Sequence, residues 1–500
     1  MTRRALIERQ ARPPHSAGGQ QKRSAPLTAA WLATLAGWLL VSGCDRPTPA
    51  GAIVLSQTPP TTAATNAGDV LDLRYPPGSR VVLAAPPFQT NDVLVLSAGL
   101  LAAGEPIVAP DGRRIFFVGK ATAGDDWQIY QADNGGRPAP VTAMPGGAMD
   151  PAIIATGDLV FSSPVPKVGE TWAMRRPPQL FAKPISGLPR RLTFAARAAV
   201  EPTVLADGRI LFVSARPAAD ASASPALGLF TVNNDGTEFT AFALDHDGAP
   251  FVHRPRELSG GRVALVAADA AGRAGKTWAE DVQSARPFAS RARLFSFSAG
   301  NCASVEPASD GAVLACLETR GTFGVFRLRP DATEAGTPLF FDPAWNSLDA
   351  TLVAARPNPM GHVSAMKPTT HFGTILCLDV NFTRWAPDDA RSAKAERIRV
   401  LTASDAGVPR VLGEVPVLAD GSFMAEVPPE VPLGFEALDA QGRVVRREPP
   451  MLWLRPGENR SCIGCHEPYN RSPGNVRPLA ASAPAVRLVG PAGAGEQAGL

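Results

Sequence analysis

After residue 44 the apolar positions fall in short runs bounded by Gly, Pro, Asp and Asn, and no long stretch keeps a 3.6-residue period. That pattern predicts strands and an all-β protein. A charged residue followed by proline recurs at Glu105-Pro106, Asp150-Pro151, Glu201-Pro202, Arg254-Pro255 and Glu306-Pro307, at intervals of 45 to 53 residues. Each pair is followed by a glycine turn and an apolar run. Asp111-Gly112 leads into Ile115-Phe116-Phe117, and Asp207-Gly208 into Ile210-Leu211-Phe212. Looser copies follow Gly157, Gly261 and Gly311, and each unit holds a second run such as Gln128-Ile129-Tyr130 or Leu229-Phe230-Thr231. Glycine tolerates the positive φ of a tight hairpin turn, so each unit reads as strand, turn, strand. Repetition at this period predicts an N-terminal β-propeller over residues 68–358. Arg80 to Ser97 supplies a degenerate first blade and Asn346 to Arg356 a last one, giving six blades, with seven as the alternative.

Residues 359–369 read as a linker, and residues 370–456 as a small β-sandwich with turn signals about every ten residues. Segment 457–470 follows it. Segments 44–67 and 471–500 read as a flexible linker and a disordered tail, the latter rich in Pro, Ala and Gly.

The N-terminus changes the picture of charge. Arg3, Arg4, Arg9, Arg12, Lys22 and Arg23 precede an apolar stretch over 27–43 that ends in Leu40-Val41-Ser42-Gly43-Cys44. This is the layout of an export signal, and its end resembles a lipobox, which predicts lipidation of Cys44 after removal of residues 1–43. That segment holds six basic residues and one acid, contributing +5 to the chain's +3 and leaving −2 for the rest. The basic balance therefore belongs to the signal, and no nucleic-acid surface is expected. The expected location is the bacterial cell envelope, facing the periplasm, with the membrane reached through the lipid.

Cys462-Ile463-Gly464-Cys465-His466 is the C-x-x-C-H attachment signal of one covalent haem c. Two thiols so spaced reach the two vinyl groups of a porphyrin, and His466 can take an axial position on the iron. With 6 Cys and 6 His in 500 residues, chance gives about one such motif per thousand chains. A zinc site would want a second short-spaced pair, and no Cys or His follows His466. A thioredoxin-like motif would sit in an α/β unit, which the flanks lack. Of the remaining cysteines, Cys302 and Cys316 are candidates for a disulfide, and Cys377 reads as a buried free thiol. Arg455 and Arg460, with Arg471, flank the motif and are candidate partners of the haem propionates.

No Met lies after Met451, so a second Met or His ligand must come from upstream. The candidates are Met360, His362, Met366 and His371 in the linker. Met424 and Met451 read as core, and His246 and His253 as propeller loops.

The repeat resembles the TolB-type propeller repeat, with Pro106 to Phe117 and Tyr130 as its best copy. Asp420-Gly421-Ser422-Phe423, Val427-Pro428, Val431-Pro432-Leu433, Ala437-Leu438-Asp439, Gly442, Arg455-Pro456-Gly457-Glu458 and Ser461 to Glu467 resemble the hydrazine synthase alpha-subunit middle-domain family. That resemblance covers about residues 370–470 and implies haem on Cys462 and Cys465. It also implies a tyrosine as a candidate iron ligand, and Tyr469 is the one at hand. The family's enzyme has a second haem domain downstream, whereas no further C-x-x-C-H follows here.

Two functions are compatible with these residues. The first, which demands least, is a membrane-anchored monohaem cytochrome passing electrons, with the propeller docking a redox protein partner. The alternative is a haem enzyme with an open iron site acting on a small nitrogen or oxygen species. A sensor or scaffold with a structural haem ranks below both.

Overall fold

The computed structural model describes residues 49–489, except 61–73, 133–136, 166–176, 216–225, 244–249, 271–275, 299, 404–407 and 469–470. Cys44, His246 and Tyr469 lie outside the described residues. No described helix is long and apolar enough to cross a membrane.

The described strands of residues 53–352 build six antiparallel sheets, and the innermost strands contact one another in a closed ring. Those innermost strands are Ala102–Val108, Met149–Ile153, Ala199–Val204, Phe251–Leu258, Cys302–Pro307 and Asn346–Leu352. This is a six-bladed propeller. Its first blade has the order Asn346–Leu352, Ile53–Thr58, Arg80–Ala84, Val93–Val95. The ring is therefore closed by pairing the last propeller strand with the first, Ile53 opposite Leu352 and Thr58 opposite Asn346. The expected 44–67 linker is corrected here. Ile53–Thr58 is a fully buried strand, and its partner is too remote in sequence for a local pattern to reveal it.

The charged-residue–proline pairs have a physical role. Glu105, Asp150, Glu201 and Arg254 have φ of 49–53°, and each sits where the register with the second strand shifts. The following proline has no N–H for the ladder, so it fits the bulge. Asp349 takes φ of 55° without a proline after it.

Residues 373–487 form two four-stranded sheets around one core of Ile375, Val400, Phe423, Val427, Leu433 and Leu454. One sheet runs Pro409–Pro416, Arg397–Ala403, Leu433–Leu438, Val444–Leu452. The other runs Asn459–Cys462, Gly373–Cys377, Phe423–Val427, Val486–Arg487. Two expectations are corrected. The segment 457–470 is not appended to the sandwich, because Asn459–Cys462 is one of its edge strands. The tail 471–500 is ordered in part: Val486 pairs with Ala425 and Leu488 enters the core.

The two domains share a seam. Met451 and Trp453 pack into a propeller core cluster with Phe194, Phe230 and Phe239, while Leu454 faces the sandwich core and Leu452 touches both. Strand alternation thus gives each domain every second residue. Met451 is core as expected, but the core is the propeller's.

Candidate haem attachment site

The site is built from the seam outward. The Trp453 ring centroid lies 4.5 Å from that of Phe239, and its Nε1–H donates to the carbonyl of Gly236 at 3.0 Å. Arg455 follows and is 6 % exposed. It pairs with Glu430 at 2.8 Å, donates from Nε to Met366 Sδ at 3.1 Å, and lies 5.0 Å from the Phe194 ring centroid. Arg455 is therefore committed to the domain seam, which corrects its assignment to a propionate. Glu458 accepts from the N–H of Arg455 at 2.7 Å and of Glu238 at 3.0 Å. One carboxylate thus fixes the Pro456-Gly457 turn to a propeller loop.

The chain then enters the sheet parallel to Gly373–Cys377, with Ile375 opposite Arg460 and Cys377 opposite Cys462. The ladder runs one step further, as Leu378 N–H donates to the Cys462 carbonyl at 2.9 Å. Gly464 turns against the carbonyl of Phe382, where any Cβ would collide with backbone oxygen. The Arg384 N–H then donates to the His466 carbonyl at 3.0 Å. His466 itself takes φ of 56°, a left-handed conformation uncommon for non-glycine residues.

Both motif thiols are half-buried against the sandwich core. Burial pushes the Cys462 thiol up, against the neighbouring Arg460, and pushes Cys465 up to about 11, against Arg446. His466 Nε2 lies 3.4 Å from the carbonyl of Arg447 and 3.4 Å from Glu448 Oε2, with the Trp385 ring edge-on at 4.9 Å. Burial lowers the imidazole pKa, so the neutral form favoured for an iron ligand is the favoured one here. Burial, with Glu467 beside it, raises the Glu448 carboxyl to about 7.

Two buried guanidinium atoms near the thiols lack hydrogen-bond partners, Arg460 Nη1 and Arg446 Nε. The rest of Arg446 is anchored to the carbonyls of Val380, Arg391 and Ala393. A buried N–H left without an acceptor is costly and asks for one. The set of two thiols, one imidazole and a guanidinium with a spare buried N–H fits a haem with its propionate toward Arg460.

The linker candidates lie elsewhere. Met360 is 69 % exposed, and its N–H donates to Ala206 of the fourth blade at 2.8 Å. Met366 is held by Arg455, and Ser364 donates to Asp235 at 2.7 Å, which ties the linker to the propeller beside His362. His371 is exposed. None of the described contacts of these four is with the motif. Met424 is a half-buried strand residue paired with Leu376, and His253 Nδ1 lies 3.5 Å from Glu201. Arg471 lies over Phe382, 5.9 Å from its ring centroid. Cys302 and Cys316 are free buried thiols rather than a disulfide. They stand on adjacent strands but enter different core clusters, on opposite faces of the sheet. No group of three or more His, Cys, Asp or Glu among the described residues could hold a metal ion.

A second polar feature was not singled out in the sequence. Glu105, Asp150, Glu201, Arg254, Glu306 and Asp349, one from each blade, line a pocket in the propeller centre together with Arg74. Several of them lace neighbouring blades together. Asp150 N–H donates to Glu105 at 3.0 Å, Glu201 N–H to Asp150 at 3.1 Å, and Arg254 N–H to Glu201 at 2.6 Å. Arg74 pairs with Glu105 and, at 3.2 Å, with Glu201, and Arg254 pairs with Asp349. The signal was present, since the residue before each repeated proline is charged, but it served only to mark the period.

Comparison with known proteins gives a consistent picture. Residues 375–467 match the family model described as the hydrazine synthase alpha subunit middle domain. The structure of Kuenenia stuttgartiensis hydrazine synthase is similar to this one with a TM-score of 0.74 and 18% identity, covering 87% of this chain and 72% of that chain. The fold of that structure thus extends over the propeller as well as the sandwich. TolB from Acinetobacter baumannii gives a TM-score of 0.37 and 15% identity, covering 61% of this chain and 66% of that chain. No curated protein matches the chain.

Proposed function

We propose that this chain is a covalent haem c protein of the cell envelope, anchored through a lipid on Cys44, whose iron keeps one position open for a small nitrogen or oxygen species. Cys462 and Cys465 hold the porphyrin, His466 is the ligand from the motif, and Arg460 pairs with a propionate. When bound, the haem supplies an iron that exchanges electrons and binds small ligands. The chain's own groups do the rest. Trp385 holds the His466 ring edge-on, and Glu448, raised to about 7, can hold or release a proton beside His466.

The observation that carries this reading is the commitment of the linker. Met366 is bonded to Arg455, and Met360 and Ser364 are tied to the propeller. Among the described contacts of Met360, His362, Met366 and His371 none reaches the motif, which supports an iron without a second protein ligand from the linker. The similarity of residues 375–467 to the hydrazine synthase alpha subunit middle domain supports a haem enzyme in the same direction.

The second reading is the electron carrier, with a redox protein docking on the propeller. It is favoured by the rigid seam, which holds the motif at a fixed position on that platform. Visible spectra of the dithionite-reduced protein, before and after carbon monoxide, separate the two. A high-spin spectrum that shifts with the gas is expected. Sharp low-spin bands that ignore it would overturn the open site in favour of the carrier.

A further inference from the structure

The sheet brings a third thiol to the attachment site. Cys377 lies opposite Cys462 on the neighbouring parallel strand. Adjacent strands run about 4.8 Å apart, inside the Cα separation of roughly 4.4–6.8 Å that a disulfide spans. In-register residues of neighbouring strands present their side chains to the same face, and both cysteines belong to the same core cluster, which also takes in Cys465. Cys377 is 2 % exposed, whereas Cys462 is half-buried at the sheet edge. Both are free thiols.

Resting on the covalent-haem reading, we propose that Cys377 forms a disulfide with Cys462 in the haem-free chain, and that this bond blocks attachment until it is reduced. Forming it joins Sγ to Sγ, releases two protons, and passes two electrons to the disulfide of an exogenous thiol oxidant. Reduction by a dithiol reverses each step. Attachment is an addition: the Cys462 sulfur bonds one vinyl carbon and the other carbon takes the proton, with no net oxidation. A sulfur held in a disulfide cannot add. The pairing differs from a bond within the motif because it staples the edge strand to its neighbour and leaves Cys465 free. Burial and the two nearby motif thiols raise the Cys377 pKa, so Cys377 is a poor attacking thiolate and the better-exposed Cys462 is the one that exchanges with the oxidant first.

The test maps disulfides in the full-length wild-type chain, exported by a host without haem-attachment machinery. The chain is acid-quenched, alkylated with N-ethylmaleimide and digested without reductant. Mass spectrometry is expected to find a peptide pair joining Cys377 to Cys462 that reduction abolishes, with Cys465 alkylated. A bond between Cys462 and Cys465, a bond from Cys377 to Cys465, or three alkylated thiols would overturn the proposal. A second arm restores the attachment machinery with limiting reductant. There Cys377→Ala is expected to load haem severalfold better than wild type, and equal loading overturns the block. If neither chain takes haem with ample reductant, the haem reading fails, while the peptide map still decides the bond.

Discussion

The Trp453 indole donates to the backbone carbonyl of Gly236, joining the last long strand of the sandwich to a turn of the propeller's fourth blade across 217 residues of sequence. Nine residues later on the chain stands the first motif thiol, Cys462. The position of the attachment site relative to the propeller is thus set by a side chain buried in the propeller's own core.

Trp453→Ala should cost about 3–5 kcal/mol, the usual range for emptying a buried aromatic site. Thermal unfolding followed at the haem band and in the far ultraviolet should separate into two transitions, with the haem-bearing domain melting first. Trp453→Phe keeps an aromatic ring against Phe239 but loses the hydrogen bond and part of the buried volume, so it should cost less than the alanine change, about 1–3 kcal/mol. Coincident, unshifted transitions in the alanine variant would rule out the seam as an anchor.

Gly464→Ala should impair haem attachment far more than it impairs folding. The added Cβ meets the Phe382 carbonyl oxygen, and relief requires the motif's turn to move off the 378–395 loop. The measured quantity is covalent haem per chain, by haem staining against total protein. Full occupancy would mean the turn has slack that the structure does not show.

Arg460→Gln should leave both thioethers intact and lower the midpoint potential. Removing a cation near the porphyrin favours the ferric state, by roughly 50–100 mV for a partly screened charge at this range. Potentiometric titration reads it. An unchanged potential would place the propionates elsewhere.

Asp150 makes the propeller's stability depend on pH. Its burial, together with Glu105 and Glu201, raises its carboxyl to about 7 from the ordinary 3.8. The folded state then binds a proton that the unfolded state has released between about pH 4 and 7. Stability contributed by this group is present at low pH and is lost as pH rises toward 7. Glu201 acts oppositely. Burial would raise it, but His253, Arg74 and Arg254 together hold it below the carboxylate range, so its contribution is present at neutral pH and lost in acid. Asp150→Asn should therefore remove the decline between pH 4 and 7, a change of ~2–4 kcal/mol, while the acid limb set by Glu201 persists. Unfolding temperatures from pH 4 to 8 test this. A slope unchanged in the variant would assign the decline to another group.

The propeller was legible because its signal is local. A charged residue, a proline and a glycine-containing turn recur in each unit, and five copies make the period plain. The motif was legible for the same reason. What escaped depends on partners remote in sequence. Ile53–Thr58 is half polar and reads as linker until its partner at 346–352 is known. Val486–Arg487 and Leu488 read as tail because two or three residues in a sheet carry no period. Arg455 and Arg460 are alike in sequence, since each is an arginine close to the motif. Only burial separates them, placing one among Glu430, Met366 and Phe194 and leaving the other with an unpaired Nη1. Cys377 looked like an ordinary strand thiol because a parallel pairing with residues some eighty positions later leaves no trace in the local sequence.

The closure of the first blade also sets an order of events. Ser56 reaches Asp349 through a hydrogen bond at 2.9 Å that spans 293 residues. Folding rates fall as contacts become more distant in sequence. A chain emerging N-terminus first can stack the intermediate blades in turn, yet its first sheet keeps an unpaired edge until Asn346–Leu352 has followed. The sandwich and its thiols come later still. A chain truncated anywhere before residue 346 would therefore be left as an open ring with a sticky edge, and the motif cysteines emerge only after every blade has been made.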